Sequence, residues 1–352
     1  MFAAYLRIFI FIGVLPVALL AASNFLIDPY EVFQTGLLPE VGATQERYLK
    51  VELLKRNRSF DTFLLGGSRM GTTAPEDVEK IIPQSHVYNF FVSSGNQSDN
   101  LAHGKWLLAT QPKIKTLYVQ VDWPESFGLA QESLQYLNHP EVVGGNPHGF
   151  LGKYLFSYSY QPVEFKIQNN TSKKGEFRFP LQDGYFYFPK RDELIGRDCK
   201  AYVEQNDAFR RPVSETPESA KQKKLVDDSL AALAELVRDA QKKQVKVVPY
   251  VTPHHHKFLD KINAGEYARF LSGLAEISPY WNFGFYSAIT SDDCNYYETS
   301  HYIRKVAPLL FSAMSGSAKP PAYARHVTLD NVSAEIDFVA TNFRRHRNTP
   351  AK

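Results

Sequence analysis

Cysteine is nearly absent: 352 residues contain two, Cys199 and Cys294. That excludes a disulfide-dense scaffold, and with about a hundred residues between them it excludes a cysteine cluster with metal-ligand spacing. An excess of one charge is missing too. Forty Lys and Arg face 37 Asp and Glu, for a net +3, with no extended basic run outside Arg344 to Arg347, so nucleic acid is not an expected partner. No internal repeat or low-complexity segment is present, and 44% hydrophobic with 22% charged residues is an ordinary globular composition, not that of a disordered chain. What is abundant is aromatic: 20 Tyr and 25 Phe exceed what a core of this size needs, which suits a sugar-binding surface, a membrane interface or simply a Tyr-rich loop region.

Residues 8–27 read IFIFIGVLPVALLAASNFLI, an uncharged apolar run of bilayer-spanning length. Arg7 on one flank against Asp28 and Glu31 on the other favours a cytoplasmic N-terminus with the remainder outside. A cleaved signal ending near Ala21, Ala22 or Ser23 and a buried core helix are the competing readings, and Phe25, Leu26 and Ile27, continuing beyond the small residues, favour an uncleaved anchor. In an exported chain the two cysteines are expected to pair.

Beyond a linker over 28–59, strand, turn and helix alternate. Strands are expected at Thr62–Leu65, Val87–Phe91, Leu117–Val121 and Val245–Val251, with a weaker one near Phe283–Ala288. Helices are expected over 74–82, opened by a Thr73/Glu76 capping box, then over 99–109, 218–243 and 301–314, with one more reaching about Ile277. This alternation implies an α/β fold with a mostly parallel sheet, its domain formed by 60–122 and 218–315. Residues 123–217 break the pattern with Gly, Pro, Asn and aromatics such as Tyr154, Phe156, Tyr158, Tyr160 and Tyr185 to Phe188, so they are read as an insertion. Residues 316–352 form a C-terminal tail with an amphipathic piece over 332–343.

Ser68 follows the first strand, within Gly66, Gly67, Ser68, Arg69. Active sites of parallel sheets lie beyond the C-terminal strand ends, so this turn would present a serine at the catalytic edge, although a plain Gly/Ser turn reads the same way. Glu298, Thr299, Ser300, His301 set a carboxylate three residues before a histidine, from where it can fix the imidazole tautomer and leave Nε2 for a serine proton. Arg69 reads equally as an anion-binding substrate contact or a salt-bridge partner, Asp122 as a supporting acid, a substrate contact or the cap of a strand end, and His254, in the run His254, His255, His256, as a candidate substrate contact. Contiguous histidines cannot all face one ion, so neither metal nor cofactor is expected.

Gly-x-Ser after strand one, a Gly-centred turn after strand two and the late acid-x-x-His together resemble the SGNH (GDSL-like) hydrolases. FLLGGSRMG (63–71) is similar to the GSSR-type variant of membrane-anchored extracytoplasmic members, and NFLIDPYEVF (24–33), YETSHYIRKVAPLLFSAM (297–314) and RHVTLDNVSAEI (325–336) extend the resemblance over almost the whole chain. The wider group includes proteins that O-acetylate exopolysaccharides such as alginate. The resemblance implies a three-layer sandwich, Ser68 as nucleophile, His301 as base and then acid, Glu298 as orienting carboxylate, and an oxyanion hole from the Ser68 and Gly95 amides helped by Asn96. Three positions depart from the pattern: Gly67 replaces the usual Asp, Glu298 stands for Asp, and Val121, Asp122, Trp123 replace Gly-x-Asn. The implied function is acyl transfer to, or removal from, a polysaccharide in the periplasm by a single-pass inner-membrane protein, with a membrane-bound O-acyltransferase as a candidate partner. An esterase of small or lipid esters and a non-catalytic scaffold of a glycan-assembly complex are the alternatives.

Overall fold

The computed structural model describes residues 9–35, 45–123, 137–158, 161–171, 177–210, 220–316 and 320–347, with positions 5, 7, 37 and 38. The apolar run is helical from Ile10 to Ile27 (α1), with mean hydropathy 2.3, and its apolar side chains are not buried in the protein, Asn24 being its one buried residue. Such exposure removes the core-helix reading and leaves a helix long and apolar enough to span a membrane. Asp28 ends it in the left-handed region (φ 46°).

Residues expected to be a linker include a helix, Glu46–Arg56 (α2), packed on the domain. Then follow β1 (Thr62–Gly66), the single turn α3 (Ser68–Gly71), α4 (Pro75–Ile81), β2 (Val87–Phe91), α5 (Gln97–Thr110) and β3 (Thr116–Gln120). The capping box expected at Thr73 does not form: Ala74 is the N-cap without a side-chain bond, Pro75 opens α4, and Glu76 is drawn to Arg304 at 2.6 Å. The insertion contributes α6 (Pro140–Val143), α7 (Pro147–Leu155), α8 (Gln161–Thr171) and α9 (Pro189–Gln205), and after it come α10 (Ala220–Lys242), β4 (Lys246–Val251), α11 (His256–Leu259), α12 (Ala264–Ile277) and β5 (Tyr280–Asn282). The chain closes with α13 (Ala307–Met314), β6 (Arg325–Val327) and α14 (Val332–Arg347). The fifth strand thus precedes the expected 283–288. Phe283 and Phe285 are core residues outside the ladder. The expected 301–314 helix starts at Ala307, preceded by a 3-10 turn.

Six strands form one sheet in the order β2-β1-β3-β4-β5-β6, parallel except for β6. Alternation along each strand feeds two apolar clusters. Phe63, Leu65, Phe90, Leu117 and Val119 join α2, α5, α10, α12 and α14, whereas Leu64, Phe91 and Tyr118 join α4 and α13. Each fully buried Leu or Phe contributes about 1.5–3 kcal/mol, so both clusters hold the strand ends that carry the site.

The described part of the insertion carries α6 to α9 and a loop over 177–188 closed by an Arg178–Tyr187 bridge. Residues 124–136, 159–160, 172–176 and 211–219, Tyr160 among them, lie outside the described residues. One loop of it covers the β2 edge: Asn89 N–H donates to Asp183 O at 3.1 Å. Lys50 of α2 locks that contact from beneath. Fully buried, its ammonium donates to the carbonyls of Asn89, Phe91 and Gly184 at 2.9, 2.7 and 2.7 Å. Burial drives its pKa well below the ordinary lysine value, with Glu46 acting against that shift. Gly184 is required there, since at φ 76° a Cβ would lie 2.2 Å from Asn89 O.

Candidate active site

β1 ends at Gly66, Gly67 is extended, and Ser68 begins α3 at the C-terminal edge of the sheet. The turn is tight because Gln120, at the end of neighbouring β3, lies directly beneath. Its Oε1 accepts the Gly67 and Met70 amides at 3.0 and 3.2 Å, and a Cβ on Gly66 would meet Gln120 at 2.6 Å.

The structure brings Ser68, His301 and Glu298 together. Ser68 Oγ is 2.7 Å from His301 Nε2, and His301 Nδ1 bonds Glu298 Oε1. Glu298 Oε2 accepts the Ser300 amide at 2.7 Å. Burial pushes the Glu298 carboxyl up, but the His301 and Ser300 bonds and the Arg69 charge outweigh it and hold it below the ordinary glutamate range. An anionic carboxylate on Nδ1 keeps that nitrogen protonated and leaves Nε2 as the acceptor facing the serine.

Two crosslinks fix the Glu298–His301 loop. Arg69, beside Ser68, donates through Nε to Ser300 O at 2.7 Å and through Nη2 to Ser300 Oγ at 3.2 Å, with Nη1 3.4 Å from Asp122. Asp122 in turn accepts the Thr252 amide and hydroxyl, both at 2.7 Å, joining the ends of β3 and β4. The other crosslink comes from the insertion. Cys199 on α9 is disulfide-bonded to Cys294 (Cα–Cα 5.7 Å), as expected, while Tyr202 Oη and Asn206 Nδ2 donate to Tyr297 O at 2.6 and 3.0 Å.

The three candidate substrate contacts are buried. Arg69, Asp122 and His254 are 3%, 0% and 1% exposed and lie beneath the site. The first two tie loops together. His254 packs on Phe258 with no partner for either ring nitrogen among the described residues, and burial, reinforced by Arg69, pushes its pKa down to about 3, so it is neutral. The oxyanion assignment changes as well. Gly95 N–H is used inside its own turn, donating to Val92 O at 2.9 Å. Gly95 is instead required for close approach, because a Cβ would lie 2.8 Å from Gly66 O. Asn96 caps α5: its Oδ1 accepts the Asp99 amide at 3.1 Å and its own amide donates to Asp99 at 3.3 Å. Its side-chain NH2 donates to no other described residue.

Two of the three contiguous histidines do converge. The Nε2 atoms of His255 and His256 lie 2.8 and 3.1 Å from Asp293 Oδ1. Their potential ligand atoms span only 4.8 Å. His255 Nδ1 already accepts the Lys257 amide at 3.2 Å, which puts the proton on Nε2 and makes this a hydrogen-bonded cluster rather than a ready ligand set.

Sequence reading placed only unspecified short elements in this insertion and did not find α9, which is kinked at Asp198. With Glu298 it lines a groove of about 570 Å³ that also presents Arg191, Arg197 and Tyr202. Neither arginine forms an ion pair with another described residue. No family model matches this chain, and no curated protein is significantly similar to it.

Proposed function

We propose that the protein is an SGNH-type serine acyltransferase or esterase, built on the three-layer sandwich of that group and acting on a polysaccharide outside the cytoplasm. The observation that carries this reading is the continuous Glu298, His301, Ser68 chain at the C-terminal strand edge. In the first step His301 Nε2 takes the Ser68 proton while Oγ bonds the acyl carbon. The tetrahedral oxyanion faces the Ser68 amide and the Asn96 NH2, and collapses as His301 gives the proton to the departing alcohol oxygen. A sugar hydroxyl or water then repeats the sequence in reverse and frees the serine.

The groove beside Glu298 supports a glycan as the second substrate, since it offers an aromatic ring, two guanidinium groups and the Asn206 amide rather than an apolar slot. The apolar α1 supports anchoring in an inner membrane with the catalytic domain in the periplasm, where a membrane-bound O-acyltransferase would be the acyl source. The test is covalent labelling of the full-length protein by a fluorophosphonate, with turnover of an activated acetyl ester alongside. Ser68→Ala abolishes labelling, and Ser68→Ala, His301→Ala and the double variant lose turnover to the same extent, because each disables one step. Turnover surviving Ser68→Ala within a few fold refutes the reading in favour of a non-catalytic scaffold.

A further inference from the structure

The chain after α1 does not hang from a flexible tether. Asn24, the polar side chain of the last turns of α1, is 8% exposed and its Nδ2 donates to Leu155 O and Ser157 O at 2.9 and 2.8 Å. One turn further, Lys166 of α8, itself 2% exposed, donates to the Asp28 carbonyl at 2.8 Å. The end of α7 and the segment after it are thus bonded to the helix inside its apolar run, not beyond it.

The side chains held at that junction are apolar and open. Phe156 is 54% and Tyr158 96% exposed, and Phe25 and Leu26 on the adjoining helix turn are 47% and 52% exposed. We propose that this corner of the insertion, with Phe156 and Tyr158 as its tips, is seated in the lipid headgroup layer. The geometry of α1 argues for lipid over a soluble partner. At 1.5 Å per residue, a run reaching Ile27 gives out about 4.5 Å above Asn24, so whatever is bonded at Asn24 is held at the level of the bilayer surface. Aromatic rings are favoured at that depth, where one face meets acyl chains and a hydroxyl meets water. The inference rests on the membrane reading of α1 and adds that the domain has a fixed seat on the bilayer.

The experiment uses the full chain reconstituted into phosphatidylcholine vesicles with and without dibrominated acyl chains. Tyr158→Trp places a probe at the corner, and Leu329→Trp places one at an equally open position (64% exposed) in the turn between β6 and α14. Emission is read as the difference from the parent, which carries the three native tryptophans. Expected is a loss of about half or more of the added emission in brominated vesicles for the residue-158 probe and little for the residue-329 probe, with aqueous iodide showing the reverse order. Protein that stays with the vesicles through an alkaline wash, yet shows equal iodide quenching and no bromine quenching at both probes, overturns the seating while leaving the anchor intact. Protein released by the wash overturns both.

Discussion

Replacing Glu298 by Gln changes the proposed catalytic chain at one atom. The carboxylate serves two N–H donors, His301 Nδ1 through Oε1 and the Ser300 amide through Oε2. A carboxamide has one oxygen. If it stays on Ser300, the NH2 group faces Nδ1, the imidazole proton moves to Nε2, and His301 can no longer accept from Ser68. If it turns to His301, two donors oppose each other at Ser300 and a part-buried amide is left unpaired at about 1–3 kcal/mol, which makes the competent arrangement a minority by roughly 5- to 150-fold. The imidazolium formed as the proton moves also loses its neighbouring anion, about 2 kcal/mol or roughly 30-fold more. Fluorophosphonate labelling of Ser68 should therefore slow by about 10²- to 10⁴-fold without loss of fold. The assay is the labelling rate of the full-length protein in detergent, with circular dichroism to verify folding and ¹⁵N shifts of His301 to report which nitrogen carries the proton. A folded variant that labels within about fivefold of the parent, or that keeps its proton on Nδ1, refutes the reasoning.

Gly95→Ala should lower the thermal midpoint by a few degrees and slow labelling, because its Cβ would meet the Gly66 and Val92 carbonyl oxygens at 2.8 and 2.9 Å and backbone atoms yield only by moving the nucleophile turn. Gly152→Ala in α7, where nothing lies within 4 Å, should leave both unchanged, and parity between the two variants would count against the close-packed turn. Acid should destabilise the fold between pH 6.5 and 4. His103 is fully buried, and desolvation takes its pKa from 6.5 to about 4, so below 6.5 the unfolded chain binds a proton that the folded one refuses until about pH 4. Stability falls by roughly 3 kcal/mol across that window from this group, and His103→Gln should flatten the pH dependence of a denaturant midpoint; equal slopes would rule the group out.

The proposed catalytic chain was legible because its information is local. Glycines after an apolar run place Ser68, and an acid-x-x-His needs only one turn to close on itself. The supporting residues were not, since their partners are remote. Arg69 reads as an exposed charge beside a nucleophile until Ser300, 231 positions later, closes on its guanidinium. Glu46, Arg47 and Lys50 fall in the stretch read as a linker, yet all three are buried against the β2 end and its following turn. The Gly95 amide was assigned by motif, whereas a bond within the turn decides its use. The fifth strand was displaced by about three residues because Phe283 and Phe285 have strand-like character but fill the core beyond the ladder.

The separation of Ser68 and His301 by 233 positions also sets an order of events during biogenesis. A chain made from its N-terminus completes β1 and the serine turn long before it contains a proton acceptor for that serine. The Cys199–Cys294 crosslink, spanning 95 positions, likewise waits until the chain has been extended to within one short loop of His301. On the proposed mechanism, every shorter intermediate carries an unactivated hydroxyl, and reactivity arises only when nearly the whole sheet has been laid down and the insertion has been stapled to the loop that bears His301.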